Sequence, residues 1–254
     1  MNYELKYIGI IPARYASTRF PGKPLVTVGG KMMIERVYEQ VSKLLSDVYV
    51  ATDDERIESA VKSFGGKVIM TSANHQSGTD RIAEAVAKIS AQGNQFDVAI
   101  NIQGDEPFIS PKQIGLLMSC FTDETTQIAT LVKKIEDNET LFNNNSPKVV
   151  INTKNEAQYF SRSTIPHIRG KEPKDWLTAH TFYKHIGIYA FKVEVLNAIT
   201  QLSQSSLELA ESLEQLRWIE NGYTVKVAIT DEEGIAIDTP DDLNKANEWF
   251  LKNR

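Results

Sequence analysis

Apolar positions open the chain as a buried strand, with Ile8, Ile10 and Ile11 leading into a loop rich in small residues and proline. Beyond that loop Met33, Ile34, Val37, Val41, Leu44 and Leu45 recur at the spacing of an amphipathic helix. "DVYVATDD" (47–54) predicts a second short strand, followed by a helix from Glu55 that ends at Gly65-Gly66, a favourable C-cap pair. "KVIMTS" (67–72) predicts a third strand, and Ile82, Ala83, Val86 and Ile89 share one face of a helix over 79–91. Thr79 is the expected cap of that helix, with Asp80 in its first turn, where the helix dipole favours a carboxylate. "DVAINIQGDEP" (97–107) predicts a fourth strand, and Ser110-Pro111 opens a helix with proline at its first position. Parallel strands need crossover helices, so this alternation predicts a doubly wound, mostly parallel α/β sheet. Ligands of such sheets bind beyond the carboxyl ends of the strands.

The pattern then changes. "QIATLVKKI" and "KVVINTKNEAQYFSRSTIP" alternate apolar and polar residues around an Asn-rich turn, as antiparallel strands do. Residues 165–182 read as a surface excursion, "HIGIYAF" as a buried strand, and "SLELAESLEQLRWIENG" as a helix ending at Gly222. "TVKVAIT" returns to the sheet, and "GIAIDTPDDLNKANEWFL" reads as a strand passing into a helix. One domain over residues 1–254 is expected, with about 130–225 forming an antiparallel lid or dimerisation subregion.

Composition narrows the classes. A net charge of −5 opposes a nucleic-acid binder, which needs a basic face. Cys120 is the only cysteine, so no intrachain disulfide or cysteine-based zinc cluster can form, and its apolar run assigns it to core packing. No stretch of about 18 apolar residues suggests a membrane span, and a cytoplasmic protein is expected.

Against that acidic background, the first loop, "PARYASTRFPGKP", carries Arg14, Arg19 and Lys23. It matches neither of the two best-known glycine-rich phosphate patterns. An arginine fork and a lysine point charge among small residues nevertheless suit a polyphosphate. Asp105, where "NIQGDEP" emerges from a strand, suits Mg²⁺ or a plain turn before Pro107. In "AIDTPDDL", Thr239, Pro240 and Asp242 are explained as a helix cap. Asp238 is not, and a metal shared with Asp105 would give its charge a partner. "NHQSGTDR" (74–81) holds Ser77, Gly78 and Arg81 before a helix, either as ordinary loop residues or as a reader of a nucleobase. No spacing rule joins Arg162, His185, Tyr189, Glu214 and Gln215, each of which also has an ordinary place in a hairpin, core strand or helix face.

Seven blocks in order, "IIPARYASTRFPGKPL", "HQSGTDR", "NIQGDEP", "YFSRSTIP", "KHIGIY", "LEQLR" and "DTPDDL", closely resemble the 3-deoxy-D-manno-octulosonate (KDO) cytidylyltransferases. They span residues 8 to about 243. The resemblance implies a nucleotide-diphospho-sugar transferase fold, usually a homodimer. It also implies Mg²⁺-dependent transfer of CMP from CTP to KDO, with pyrophosphate released, in lipopolysaccharide synthesis. Residue by residue, it places Arg14 and Lys23 on the triphosphate with Arg19 nearby, and Asp105 and Asp238 on Mg²⁺. Ser77, Gly78 and Arg81 fall around the cytidine, and Gln103, Arg162, His185, Tyr189, Glu214 and Gln215 on the sugar. Cytidylyltransferases for other acid sugars, of the 8-amino-KDO or neuraminate type, are the near alternatives. A silent nucleotide-binding protein is the distant one, and it would be marked by loss of Lys23, Asp105 or Asp238, all of which are present.

Overall fold

A computed structural model describes residues 4–16, 20–75 and 77–252 of the chain, which divides into two compact units. Arg19 lies outside the described residues.

The first unit comprises residues 1–115 and 234–254. Its sheet runs β1 (Tyr7–Ala13) from the opening isoleucines, then a small hairpin of β2 (Thr27–Val28) and β3 (Lys31–Met32) into α1 (Met33–Ser42). There follow β4 (Val48–Thr52), α2 (Glu55–Ser63), β5 (Val68–Met70), α3 (Gly78–Ser90) and β6 (Val98–Asn101). The strands pair in parallel in the order β6-β1-β4-β5, as the alternation of strand and helix requires. Met33, Ile34, Val37 and Val41 of α1 are fully buried, as are Ile8, Ile10 and Ile11 of β1, and burial of each such side chain contributes about 1.5–3 kcal/mol. Leu44, assigned to the same face, falls beyond the helix end and is exposed. β6 and β5 are shorter than the segments that predicted them, because their last residues leave the sheet to build loops.

Along α4 (Pro111–Cys120) the chain passes into the second unit, residues 116–233. β7 (Ile128–Lys134), α5 (Asn138–Phe142), β8 (Lys148–Ile151) and β9 (Ala157–Ser161) lead through α6 (Trp176–Ala179) to the long β10 (Tyr183–Lys192). β10 is antiparallel to β7 and to β8, and β8 to β9, as the alternating pattern predicts. α7 (Val193–Ile199) follows. The single helix expected over "SLELAESLEQLRWIENG" is instead two short ones, α8 (Ser206–Glu211) and α9 (Gln215–Glu220), broken at Ser212, whose φ is +51°. β11 (Val225–Ile229) pairs in parallel with β7. Cys120 is buried and unpaired, as core packing requires.

α10 (Pro240–Lys252) belongs again to the first unit. The residues before it, 234–238, form no strand. Ile237 is buried with Val28, Met33 and Ala246, so its apolar character serves a cluster rather than a ladder, and its backbone N–H donates to the Asp105 carbonyl at 2.9 Å. Among the described residues, no helix is long and apolar enough to cross a membrane.

Candidate active site

Lys23 is placed by the fold of the first loop. Gly22 adopts φ +73°, where a side chain is strained, and its N–H returns to the Tyr15 carbonyl at 2.9 Å. A Cβ there would also press on the Tyr15 ring at 3.2 Å. Lys23 then opens a short 3-10 turn with Pro24, and its ammonium donates to Asp105 Oδ2 at 2.8 Å and Asp238 Oδ1 at 3.1 Å.

The two carboxylates arrive from different elements. Asp105 follows β6 on a loop pressed against β1: a Cβ on Gly104 would lie 2.9 Å from the Pro12 carbonyl oxygen. Asp238 stands just before the cap of α10, where Asp242 accepts from the backbone N–H of Asp238 at 3.2 Å and of Thr239 at 3.0 Å. Asp242 N–H in turn donates to Thr239 Oγ1 at 3.2 Å, the cap its sequence predicts. Because both carboxylates point at one ammonium, their oxygens face a common point. Two carboxylates joined by phosphate oxygens and water form the donor set that Mg²⁺ prefers, so these residues fit that ion. Among the described residues no three His, Cys, Asp or Glu side chains gather to hold a metal unaided.

Arg14, Lys23, Gly78, Arg81, Gln103 and Asp105 line one cavity of about 330 Å³ in this unit, at the carboxyl ends of β1 and β6. Gln103, expected on the sugar side, is among them. The Arg14 guanidinium donates to the His75 carbonyl in a short contact, and His75 Nε2 meets Glu84 in another. Glu84 also accepts from Ser72 N–H at 2.8 Å and from Lys88 at 2.7 Å. Burial would raise its pKa, but Lys88, the Ser72 amide and His75 outweigh burial and hold it at about 2.

Two residues assigned to the nucleobase already hold the scaffold. Ser77, not Thr79, is the N-cap of α3, in a reciprocal box with Asp80. Thr79 is buried inside the helix, because the cap lies two residues earlier than its apolar face suggests. Arg81 is fully buried, donating to Thr71 Oγ1 at 2.6 Å and Asp53 Oδ2 at 3.0 Å, while its Nε is buried without a hydrogen-bond partner.

The second unit gathers the remaining candidates. His185 and Tyr189 lie four residues apart on β10, about 13 Å in a regular strand. A bulge between Ile186 and Tyr189 brings their ring centroids to 5.2 Å. Thr130 of β7 anchors this bulge, its Oγ1 lying 3.1 Å from His185 Nε2 and donating to the Ile188 carbonyl at 2.8 Å. Burial pulls the His185 pKa down to about 4, so the imidazole is neutral near pH 7. Burial likewise raises the Tyr189 phenol well above its ordinary value.

Arg162, expected to face the sugar, spends three of its donors on main-chain carbonyls: Nε on Glu211 at 2.7 Å, Nη1 on Asn144 at 3.2 Å and Nη2 on Ser212 at 3.4 Å. Glu214 and Gln215 begin α9, and Gln215 is buried with its Nε2 lacking a hydrogen-bond partner. Arg162, Glu214 and Gln215 therefore meet at the α8–α9 corner. Thr130 and Glu211 were not singled out in the sequence, since a strand threonine and a surface-patterned glutamate carry no spacing signal. A larger cavity in this unit, about 540 Å³ beside Val149 and Phe182, gathers none of the candidate residues.

The family model for cytidylyltransferases matches residues 8–230. A 3-deoxy-manno-octulosonate cytidylyltransferase of Parabacteroides distasonis is 64% identical over 254 residues, covering 98% of this chain and 100% of the relative. Its counterpart from Bacteroides thetaiotaomicron is 64% identical over 253 residues, covering 98% and 100%. Among solved structures, a CMP:2-keto-3-deoxy-manno-octonic acid synthetase complexed with CTP superposes with a TM-score of 0.90 at 40% identity, covering 98% of this chain and 100% of that one.

Proposed function

The chain belongs to the cytidylyltransferase family, and on that premise we propose that it transfers CMP from CTP to KDO. The anomeric hydroxyl of KDO attacks the α-phosphorus of CTP, a new O–P bond forms, and pyrophosphate leaves. The observation that carries this reading is Lys23 set between Asp105 and Asp238 on a cavity it shares with Arg14. Transfer of this kind depends chiefly on positioning and charge neutralisation. Lys23 and Arg14 take the triphosphate oxygens and offset the charge that develops on pyrophosphate. Asp105 and Asp238 hold Mg²⁺, which when bound polarises the α-phosphate. Gly78 allows close approach of the base, and Ser77 and Arg81 act there by fixing α3 and the cavity wall.

On the sugar side, neutral His185 and buried Tyr189 suit hydroxyl recognition, while Arg162, with donors remaining beyond its three carbonyl bonds, suits the carboxylate. Gln103, Glu214 and Gln215 complete the set. A cytoplasmic homodimer that activates KDO for lipopolysaccharide synthesis is the setting the family resemblance supports. Pyrophosphate release from CTP and Mg²⁺, compared with KDO, its 8-amino analogue and neuraminate, tests the function. Turnover fastest with KDO is expected, and absence of release with every acid sugar would overturn it.

A further inference from the structure

Arg217 and Glu208 form a buried ion pair that the transfer chemistry does not use. Arg217 Nε donates to Glu208 Oε2 at 2.8 Å and Nη2 to Oε1 at 2.7 Å, a two-pronged contact between α9 and α8. The side chains are 10% and 8% exposed. A pair so placed is poor evidence of stabilisation, because well-packed apolar residues often serve as well or better. What it offers instead is direction, since a planar fork accepts a carboxylate in few orientations.

The surroundings give that direction a use. α8 and α9 have six residues each, too short to hold themselves. Glu208 also caps α8 in a reciprocal box with Ser205, and Arg217 Nη1 donates to the Leu202 carbonyl at 3.1 Å. One guanidinium thus ties α9 to both the side chain and the approach of α8. Its Nη2 also lies 3.5 Å from Glu214 Oε1. At the far end of α8, Glu211 accepts from Ser161 Oγ at 2.6 Å and Arg162 N–H at 2.9 Å, and its carbonyl accepts from Arg162 Nε. The pair therefore sets the angle of a corner that carries Glu214 and Gln215 and anchors Arg162.

We infer that Glu208 and Arg217 are positioning residues for acid-sugar recognition, holding the α8–α9 corner in the register that presents Arg162, Glu214 and Gln215. The inference rests on the proposed function. Steady-state kinetics with CTP and KDO, together with CTP affinity by calorimetry and thermal unfolding, test it on wild type, Arg217→Lys, Glu208→Gln and the double variant Glu208→Met/Arg217→Met. Arg217→Lys and Glu208→Gln are expected to raise the KM for KDO roughly tenfold to a hundredfold, the cost of a small misplacement. CTP affinity should stay unchanged, because its candidate cavity lies wholly in the first unit. The double variant should regain wild-type thermal stability without regaining the KM for KDO. A normal KM for KDO in a folded single variant, its recovery in the double variant, or equal losses toward CTP would each overturn the inference. Glu208→Gln, which keeps the shape of the side chain, decides the matter if another variant does not fold. Failure of the function itself would show separately, as wild-type protein inactive with KDO.

Discussion

Lys23 Nζ lies 2.8 Å from Asp105 Oδ2, across 82 residues of chain, and the same ammonium reaches Asp238. This contact joins the loop after β1 to the loop after β6. Lys23→Met is expected to lower kcat/KM for CTP by about 10²–10³-fold, the usual loss when a charge-stabilising donor is removed. Asp238 is 39% exposed, so solvent screens the two carboxylates left behind and the stability change should stay below about 1 kcal/mol. Asp238→Asn should abolish Mg²⁺-dependent turnover with an unchanged circular dichroism spectrum. Near-normal turnover would remove Asp238 from the mechanism.

Arg14 depends on residues that never meet the cavity. Glu84 holds His75, and the His75 carbonyl accepts from Arg14. Glu84→Gln should therefore raise the KM for CTP by roughly three- to tenfold through a loosened Arg14, while leaving the KM for KDO unchanged. Initial-rate measurements with each substrate varied in turn decide this.

Gly104 leaves no room for a side chain against the Pro12 carbonyl, which as backbone cannot yield cheaply. Gly104→Ala is expected to cost about 1–3 kcal/mol by overpacking. That lowers Tm by roughly 2–4 °C per kcal/mol in a chain of this size. Calorimetric affinity for CTP should fall as well, because Asp105 is the next residue.

His185 links stability to acid. Its folded pKa of about 4 lies below the ordinary 6.5, so the unfolded chain binds the proton more tightly. The neutral ring's contribution is complete above pH 6.5 and is lost as pH falls through 4, a change of roughly 3 kcal/mol. Urea unfolding between pH 7.5 and 4 should show this slope in the wild type and less of it in His185→Gln. Equal slopes would place the titration elsewhere.

Much of the first unit was legible in the sequence because its rules are local. The isoleucines of β1, the helical spacing of α1, Pro111 at the start of α4 and the Thr239–Asp242 cap each follow from a few neighbouring residues. Long-range placement was not legible. Ile235 and Ile237 look like strand residues, yet they fill a cluster beside α10, since alternation reports burial and not pairing. Ser77 was displaced as a cap by Thr79, an equally good capping type two positions on. The break at Ser212 was hidden because its flanks keep helical periodicity, and long-range contacts such as those of Glu208, Glu211 and Arg217 hold the corner there. The resemblance named Arg162 as a sugar ligand, but it could not show how much of that guanidinium is given to carbonyls.

The contact between Lys23 and Asp238 spans 215 residues, and the Asp238 backbone lies in a segment that follows the whole second unit. During synthesis the ribosome therefore makes the strands of the first unit long before the segment that completes them. Until residues 234–252 emerge, Val28 and Met33 lack Ile237 and Ala246 as cover, and Lys23 faces a single carboxylate. Closure of so long a loop is slow. A nascent chain of this protein gains the second carboxylate beside Lys23 only after the whole second unit has been made.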